Sequence, residues 1–364
     1  MRFRACRLCG LVSTLFLAAV SHPTHGAEID SLTGRTEVLD DSSGAIERRV
    51  NDALKAGVDR ANRVSTGCDE DVLYRELRSA LASPFIGHVI AESLNLDEAL
   101  DRRRIRRVDS IYRDLGLLDN VSVHWKDLSA VVRVGDVLIG VDKVGHFVVE
   151  GWHYFESAYL EGEGIVAAMD WGEGTESTYF GLYTTGVYSY ADLVADFEGL
   201  RFWLHVLGRF DDPLDTGWLP DRPYVTCRRR FWIAGERRWH LSRRLHLDRY
   251  VTPVWDEAVN CCRYRNEEIE ARVRARIDEL SRAAGVDYTC PIDPDACAQA
   301  RRRYGEWAPH LLHPTCLEAP PGRRPWWKLC RVIEMQRISG ACEGASSRTR
   351  GLTHHSVGSR RKGY

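Results

Sequence analysis

Apolar residues recur at four-residue steps between Ala45 and Asn62. Ile46, Val50, Leu54 and Val58 share one face, and polar and charged residues fill most of the rest. That period predicts an amphipathic helix. Asp69–Ala82 predicts a second, stopped near Ser83-Pro84. Residues 86–115 predict one or two more, with an exposed basic stretch at Arg102–Arg107. Residues 117–141 mix β-branched residues with Gly and Asp, which fits a short hairpin or irregular loop better than a helix. Two further helices open at Asp142 and Ser189. Asp211-Asp212-Pro213 through Pro223 is loop-like, Glu267–Ala284 is helical in pattern, and Asp287–Arg323 is rich in Cys and Pro. The expected fold is mainly α. A helical, bundle-like domain spans 45–212, after a flexible polar leader at 28–44. A disulfide-rich, loop-rich basic lobe spans 213–345, and a disordered basic tail spans 346–364. No internal repeat is evident.

The first 27 residues predict an export signal. Arg2, Arg4 and Arg7 precede the short apolar run Leu11–Val20, and His25-Gly26-Ala27 offers small residues for cleavage near Ala27. That run is too short to span a bilayer, which takes about 20 helical residues, and no later uncharged apolar stretch is long enough. The expected protein is exported, periplasmic or secreted, and not transmembrane once the signal is removed.

Charge and cysteine change the picture further. From residue 227 onward there are 27 Lys and Arg against 16 Asp and Glu; before it, 23 against 36. A basic rear half could meet anionic lipid or cell-wall polymer, although solubility alone accounts for it. Nine cysteines follow the signal, eight of them in the last 138 residues. In an oxidising compartment that density predicts disulfides. Cys261 and Cys262 are expected to bond outward to different partners, and Cys68 is left over. Trp326-Trp327-Lys328 beside Arg323-Arg324 could sit at a lipid or glycan surface, although core packing inside the disulfide-rich lobe accounts for it better. Export argues against nucleic acid, and no phosphate loop, dinucleotide fingerprint or Gly-x-Ser-x-Gly is present.

The candidate chemistry lies between Asp142 and Gly199. On a helix turning about 100° per residue, Asp142, His146, Glu150, His153 and Ser157 form a stripe narrower than a quarter-turn, amid Val144, Phe147, Val148, Trp152 and Phe155. Charge among apolar groups must be paired, hydrated, metal-bound or neutralised. On the second helix Ser189 can cap and Asp192 stands where a capping box places an acid, whereas Asp196, one turn on, has no capping role. Where two such carboxylates are shielded together, one pKa rises unless a cation lies between them. Lys143, a protonated His146 or a metal could fill that place. Glu173 and Glu176, in the Gly-rich stretch between the helices, could reach the same pocket. His146, His153 and Glu150 are the candidate ligands for a divalent metal, without the His-Glu-x-x-His spacing.

Asp142-Lys143-Val144-Gly145-His146-Phe147, then Glu176, then Asp192-Leu193-Val194-Ala195-Asp196-Phe197-Glu198-Gly199 resembles the pattern of VanZ-like and YfiM-like bacterial envelope proteins. The likeness spans about 60 residues; Asp196 stands where the pattern has Asn. It implies an envelope location and a helical core around these polar groups, and little chemistry. Two functions are expected. One is an envelope enzyme, most simply a hydrolase, with His146 as general base or ligand. Asp142 and Glu150 would orient it, and Asp192, Asp196, Lys143 and Glu176 would complete the wall. The other is a binding or scaffold protein in which the same groups form an interhelical polar network.

Overall fold

The computed structural model describes residues 28–82, 89–125, 128–178, 181–214, 222–229 and 237–318. The signal-type start, Trp326-Trp327, Cys330, Cys342 and the tail from 346 lie outside them. The described residues all fall in the first of two compact units, Met1–Pro321.

Helix α1 (Ser43–Val64) buries Ile46, Val50, Leu54 and Val58, as its period requires, and packs on α2 (Glu70–Leu81). Asp69 caps α2 by accepting from the Val72 amide. After α3 (Val89–Leu96) and the short α4 (Val121–Trp125), β1 (Val131–Val134) and β2 (Val137–Gly140) form an antiparallel hairpin pairing Val131 with Gly140. Helix α5 (Asp142–Val148), α6 (Glu150–Phe155), a π turn at Glu156–Leu160 and α7 (Ile165–Ser177) follow. Next come β3 (Val187–Ser189), α8 (Tyr190–Leu207), and an antiparallel pair, β4 (Val225–Arg229) with β5 (Arg237–Leu241). Strand β6 (Cys262–Tyr264) returns to pair with β3, and α9 (Glu267–Ala284), α10 (Pro294–Tyr304), α11 (Ala308–Leu311) and α12 (Pro314–Glu318) complete a mainly α structure.

Helix α8 is the centre. All of its residues except Tyr190 and Arg201 are buried. A helix apolar around most of its girth belongs inside, and α5, α6, α7 and α11 all pack on it. The α6–α8 crossing is tight because both helices present glycine there. A Cβ on Gly151 would come within 2.5 Å of the Gly199 Cα. One apolar cluster joins Val50, Phe147, Trp203, Tyr250 and Leu311, so residues on both sides of 212 share it.

Several expectations are corrected. Leader residues Glu28–Leu32 are buried. Arg103, expected to be exposed, is buried and donates to the Gly34 carbonyl at 2.9 Å. Cys68 is not left over, because it bonds Cys227. Cys261 pairs with Cys290 and Cys297 with Cys316, whereas Cys262 has no disulfide partner among the described residues. Among the described residues no helix is long and apolar enough to cross a membrane.

Candidate functional site

The pocket is built where α5 lies against the first two turns of α8. Ser189 starts α8 as predicted, its hydroxyl accepting from the Asp192 amide at 3.3 Å. The Asp192 side chain does not complete the capping box. Glu176 of α7 takes that role, accepting from the Ser189 amide at 3.3 Å. Asp192 is thereby free to turn toward α5.

Two cations sit among the acids. Lys143 is fully buried. Its Nζ lies 2.5 Å from Asp192 Oδ1, 2.6 Å from Glu257 Oε1 and 3.2 Å from Asp142 Oδ2. His146 stands between the two α8 carboxylates. Its Nδ1 is 2.9 Å from Asp196 Oδ1 and its Nε2 is 3.4 Å from Asp192 Oδ2. The His146 side chain keeps 14 % exposure. Glu150 is buried and closes a trio with His146 and Asp196; Glu176 closes another with His146 and Asp192. In each trio the donor atoms lie within 4.8 Å of one another.

The electrostatics follow from an excess of acid. Burial disfavours the imidazolium of His146, but Asp192, Asp196 and Glu150 outweigh it and raise its pKa well above the usual histidine range. Burial likewise opposes charge on Lys143, and Asp142, Asp192 and Glu257 overcome it. The carboxyls go the other way. Burial pushes Asp196 up to about 7 despite His146, and Glu257 up to about 7 despite Lys143. Burial and then the charge of Asp192 hold Glu176 well above the carboxylate range.

All seven residues expected at one site lie close together: Asp142, Lys143, His146, Asp192, Asp196 and Glu176 meet, and Glu150 lies beside the His146–Asp196 pair. His153 does not join them. The helix is interrupted at Val149 and crosses α8 at Gly151, so His153 lies beyond the crossing. Seven residues of helix separate it axially from His146 by about 10 Å, and it stands 41 % exposed, 3.9 Å from Glu156 and beside the Trp171 ring. Ser157 also points elsewhere, donating to Glu163. The proposed His146–His153–Glu150 ligand set is thus not assembled.

Two participants are missed by the sequence reading. Glu257 ligates Lys143 and also accepts from the Ser189 hydroxyl at 2.9 Å. It sits in the apolar stretch Val254–Val259, so the rule that exposed α5 and α8 applies to it too. Glu28 is buried among Glu257, Lys143, Asp192 and Asp142, and burial followed by the charge of Glu257 raises its pKa strongly. A cleft of about 560 Å³ exists elsewhere, lined by Tyr74, Arg78, Trp152, Glu156 and Arg209 and by none of the residues that meet around Lys143 and His146.

The chain matches no family model, and neither a curated protein nor a solved structure matches it.

Proposed function

We propose that the protein is an exported envelope hydrolase whose site holds a divalent cation on His146 Nε2, Asp192 and Glu176. The observation that carries this reading is the environment of His146. A carboxylate holds Nδ1, as a positioning partner does for a metal-bound histidine, while Nε2 faces a second carboxylate from which a third is within ligand reach. A histidine and two carboxylates leave coordination positions for water, whose pKa a divalent ion lowers. Glu150, in the group with His146 and Asp196 beside the same imidazole, would be the further carboxylate available to take that proton. The disulfides suit an oxidising compartment. The Cys261–Cys290 and Cys297–Cys316 bridges would make the later part of the chain a stapled support that delivers Glu257. The VanZ-like resemblance and the exported setting favour an envelope glycan or lipid as substrate.

A scaffold reading draws on Lys143, whose burial against three carboxylates is structural in character. One experiment separates the two. Protein purified from an oxidising compartment without added metal should carry about one equivalent of zinc, manganese or iron, absent from folded His146→Ala and Asp192→Asn. Metal-free native protein, inactive on ester, phosphoester and glycoside probes with each ion restored, would leave the scaffold reading.

A further inference from the structure

The cleft of about 560 Å³ is lined by one face of α2, by the run from α6 into the π turn, and by Arg209 and Phe210 just past α8. Two of these walls contribute every fourth residue. Glu70, Tyr74 and Arg78 come from the first, and Trp152, Glu156 and Leu160 from the second. A volume of about 300–1,000 Å³ is usual for a small-molecule site, and single π turns within helices recur at functional sites. Two lining side chains also carry unpaired polar groups. Tyr74 and Trp152 are 7 % and 3 % exposed, yet neither the Tyr74 hydroxyl nor the Trp152 indole nitrogen has a hydrogen-bond partner among the described residues. Burying a donor without an acceptor is destabilising, and a buried indole usually finds one. Trp203, edge-on to Trp152 at 4.8 Å, does so by donating to the Val148 carbonyl at 3.1 Å. Burial raises the pKa of the Tyr74 phenol, so its hydroxyl stays protonated and able to donate.

The charges of the cleft cancel. Arg78 pairs with Glu156 at 3.0 Å and lies over the Trp152 ring, 5.5 Å from its centre, while Arg209 pairs with Glu70. Arg75 and Asp71 complete three cations against three acids. Such a lining has no net field to hold an ion, and that many charged groups do not suit a lipid chain. Apolar surface remains beside them, since Leu160 is 45 % and Phe210 39 % exposed. Guanidinium groups donate and carboxylates accept. A sugar matches this combination, because its ring carries hydroxyls around the edge and C–H groups on its faces. We propose that the cleft binds a neutral oligosaccharide. The sugar offers acceptors to Tyr74 and Trp152, exchanges hydrogen bonds with the Arg78–Glu156 and Arg209–Glu70 pairs, and covers Leu160 and Phe210. None of the residues that meet around Lys143 and His146 lines the cleft, so the inference goes beyond the hydrolase reading and stands without it.

The test uses the full chain in EDTA, which silences any metal-dependent hydrolysis, with N-acetylchitotriose, maltotriose and cellotriose as probes. Isothermal titration should show one-to-one binding of at least one of them with Kd below about 1 mM. Tyr74→Phe deletes the unpaired hydroxyl and keeps the ring, so Tm should stay within about 2 °C while affinity for that sugar falls about 3–10-fold. Trp152→Phe and Phe210→Ala should each weaken it by a similar factor. If Trp152→Phe does not fold, Tyr74→Phe and Phe210→Ala decide. His146→Ala should bind the sugar as wild type does, which reads the cleft apart from the hydrolase site. The proposal is overturned if none of the three sugars binds, or if affinity is unchanged in both Tyr74→Phe and Phe210→Ala. Loss of sugar binding in folded His146→Ala, or binding of inorganic phosphate or phosphatidylglycerol vesicles in place of sugar, overturns it as well.

Discussion

Asp196 and Glu198 stand two residues apart on α8, about 200° around it, both buried, and their surroundings treat negative charge in opposite ways. Glu198 is saturated. Its Oε1 accepts from Arg303 at 3.0 Å and from the Tyr304 hydroxyl at 2.9 Å, and its Oε2 pairs with Arg201 at 2.5 Å. Arg201 also grips Asp212, to which His205 Nε2 comes within 3.0 Å. Burial would raise the Asp212 pKa, but His205 and Arg201 hold it below the usual carboxylate range. On the other face Asp196 shares one imidazole with Asp192 and is pushed up to about 7. The same helix therefore carries a network with a cation for every acid and a pocket with acids to spare. The balanced network is what structure requires. The unbalanced pocket is where a ligand or proton has work to do.

The largest break in this comparison should come from Lys143→Met. It leaves Asp142, Asp192 and Glu257 without their ammonium, and urea unfolding should show a loss of about 3–5 kcal/mol. A loss below about 1 kcal/mol would mean that the pocket is already charge-relieved by something else. Arg201→Met strikes the balanced side. Stability should fall by about 2–4 kcal/mol, since Glu198 and Asp212 both lose a partner, while bound metal per folded chain stays at the wild-type level. Loss of metal in that variant would erase the distinction between the two regions.

Much of this was legible locally. Helix α1 follows from its period, and α2 and α9 from period and the Asp69 and Asn266 caps, because each needs only neighbours within a few residues. The meeting of His146 with Asp192 and Asp196 was legible because charges stood out against an apolar background. Glu28 escaped because its polar leader gives no sign of burial, which contacts remote in sequence, with Ser129, Ile111 and Gly140, impose. Cysteine pairing escaped because spacing does not encode distance in space. His153 misled because a helical wheel shows angle and hides axial rise.

The two regions should also titrate in opposite senses. Asp196 and Glu257 are raised to about 7 from ordinary values near 3.8 and 4.5. The folded state holds those protons more tightly, so their contribution is complete below about pH 4 and is lost as pH rises to about 7. Asp212 is lowered, so its contribution is present above the ordinary carboxylate pKa and is lost as pH falls through its folded value. In chelator, urea midpoints between pH 2 and 8 should show Asp196→Asn removing a decline above about pH 4 and Asp212→Asn removing a loss below it, on the order of 1–2 kcal/mol each. A divalent cation should cancel the decline, because it takes the place of the protons. Parallel slopes in both variants would contradict the contrast.

The smallest effect on stability should be the most telling about function. Asp196→Asn keeps an oxygen to accept from His146 Nδ1 and removes a charge the pocket holds reluctantly. Folding stability at neutral pH should change by less than about 1 kcal/mol. The imidazole, however, loses the carboxylate that sets its tautomer and raises its basicity, and divalent-cation affinity should fall about 10–100-fold. Isothermal titration with zinc or manganese beside urea unfolding reads both quantities on one preparation. If stability falls by several kcal/mol while cation affinity is untouched, Asp196 belongs with Glu198, and α8 carries structural networks on both of its faces.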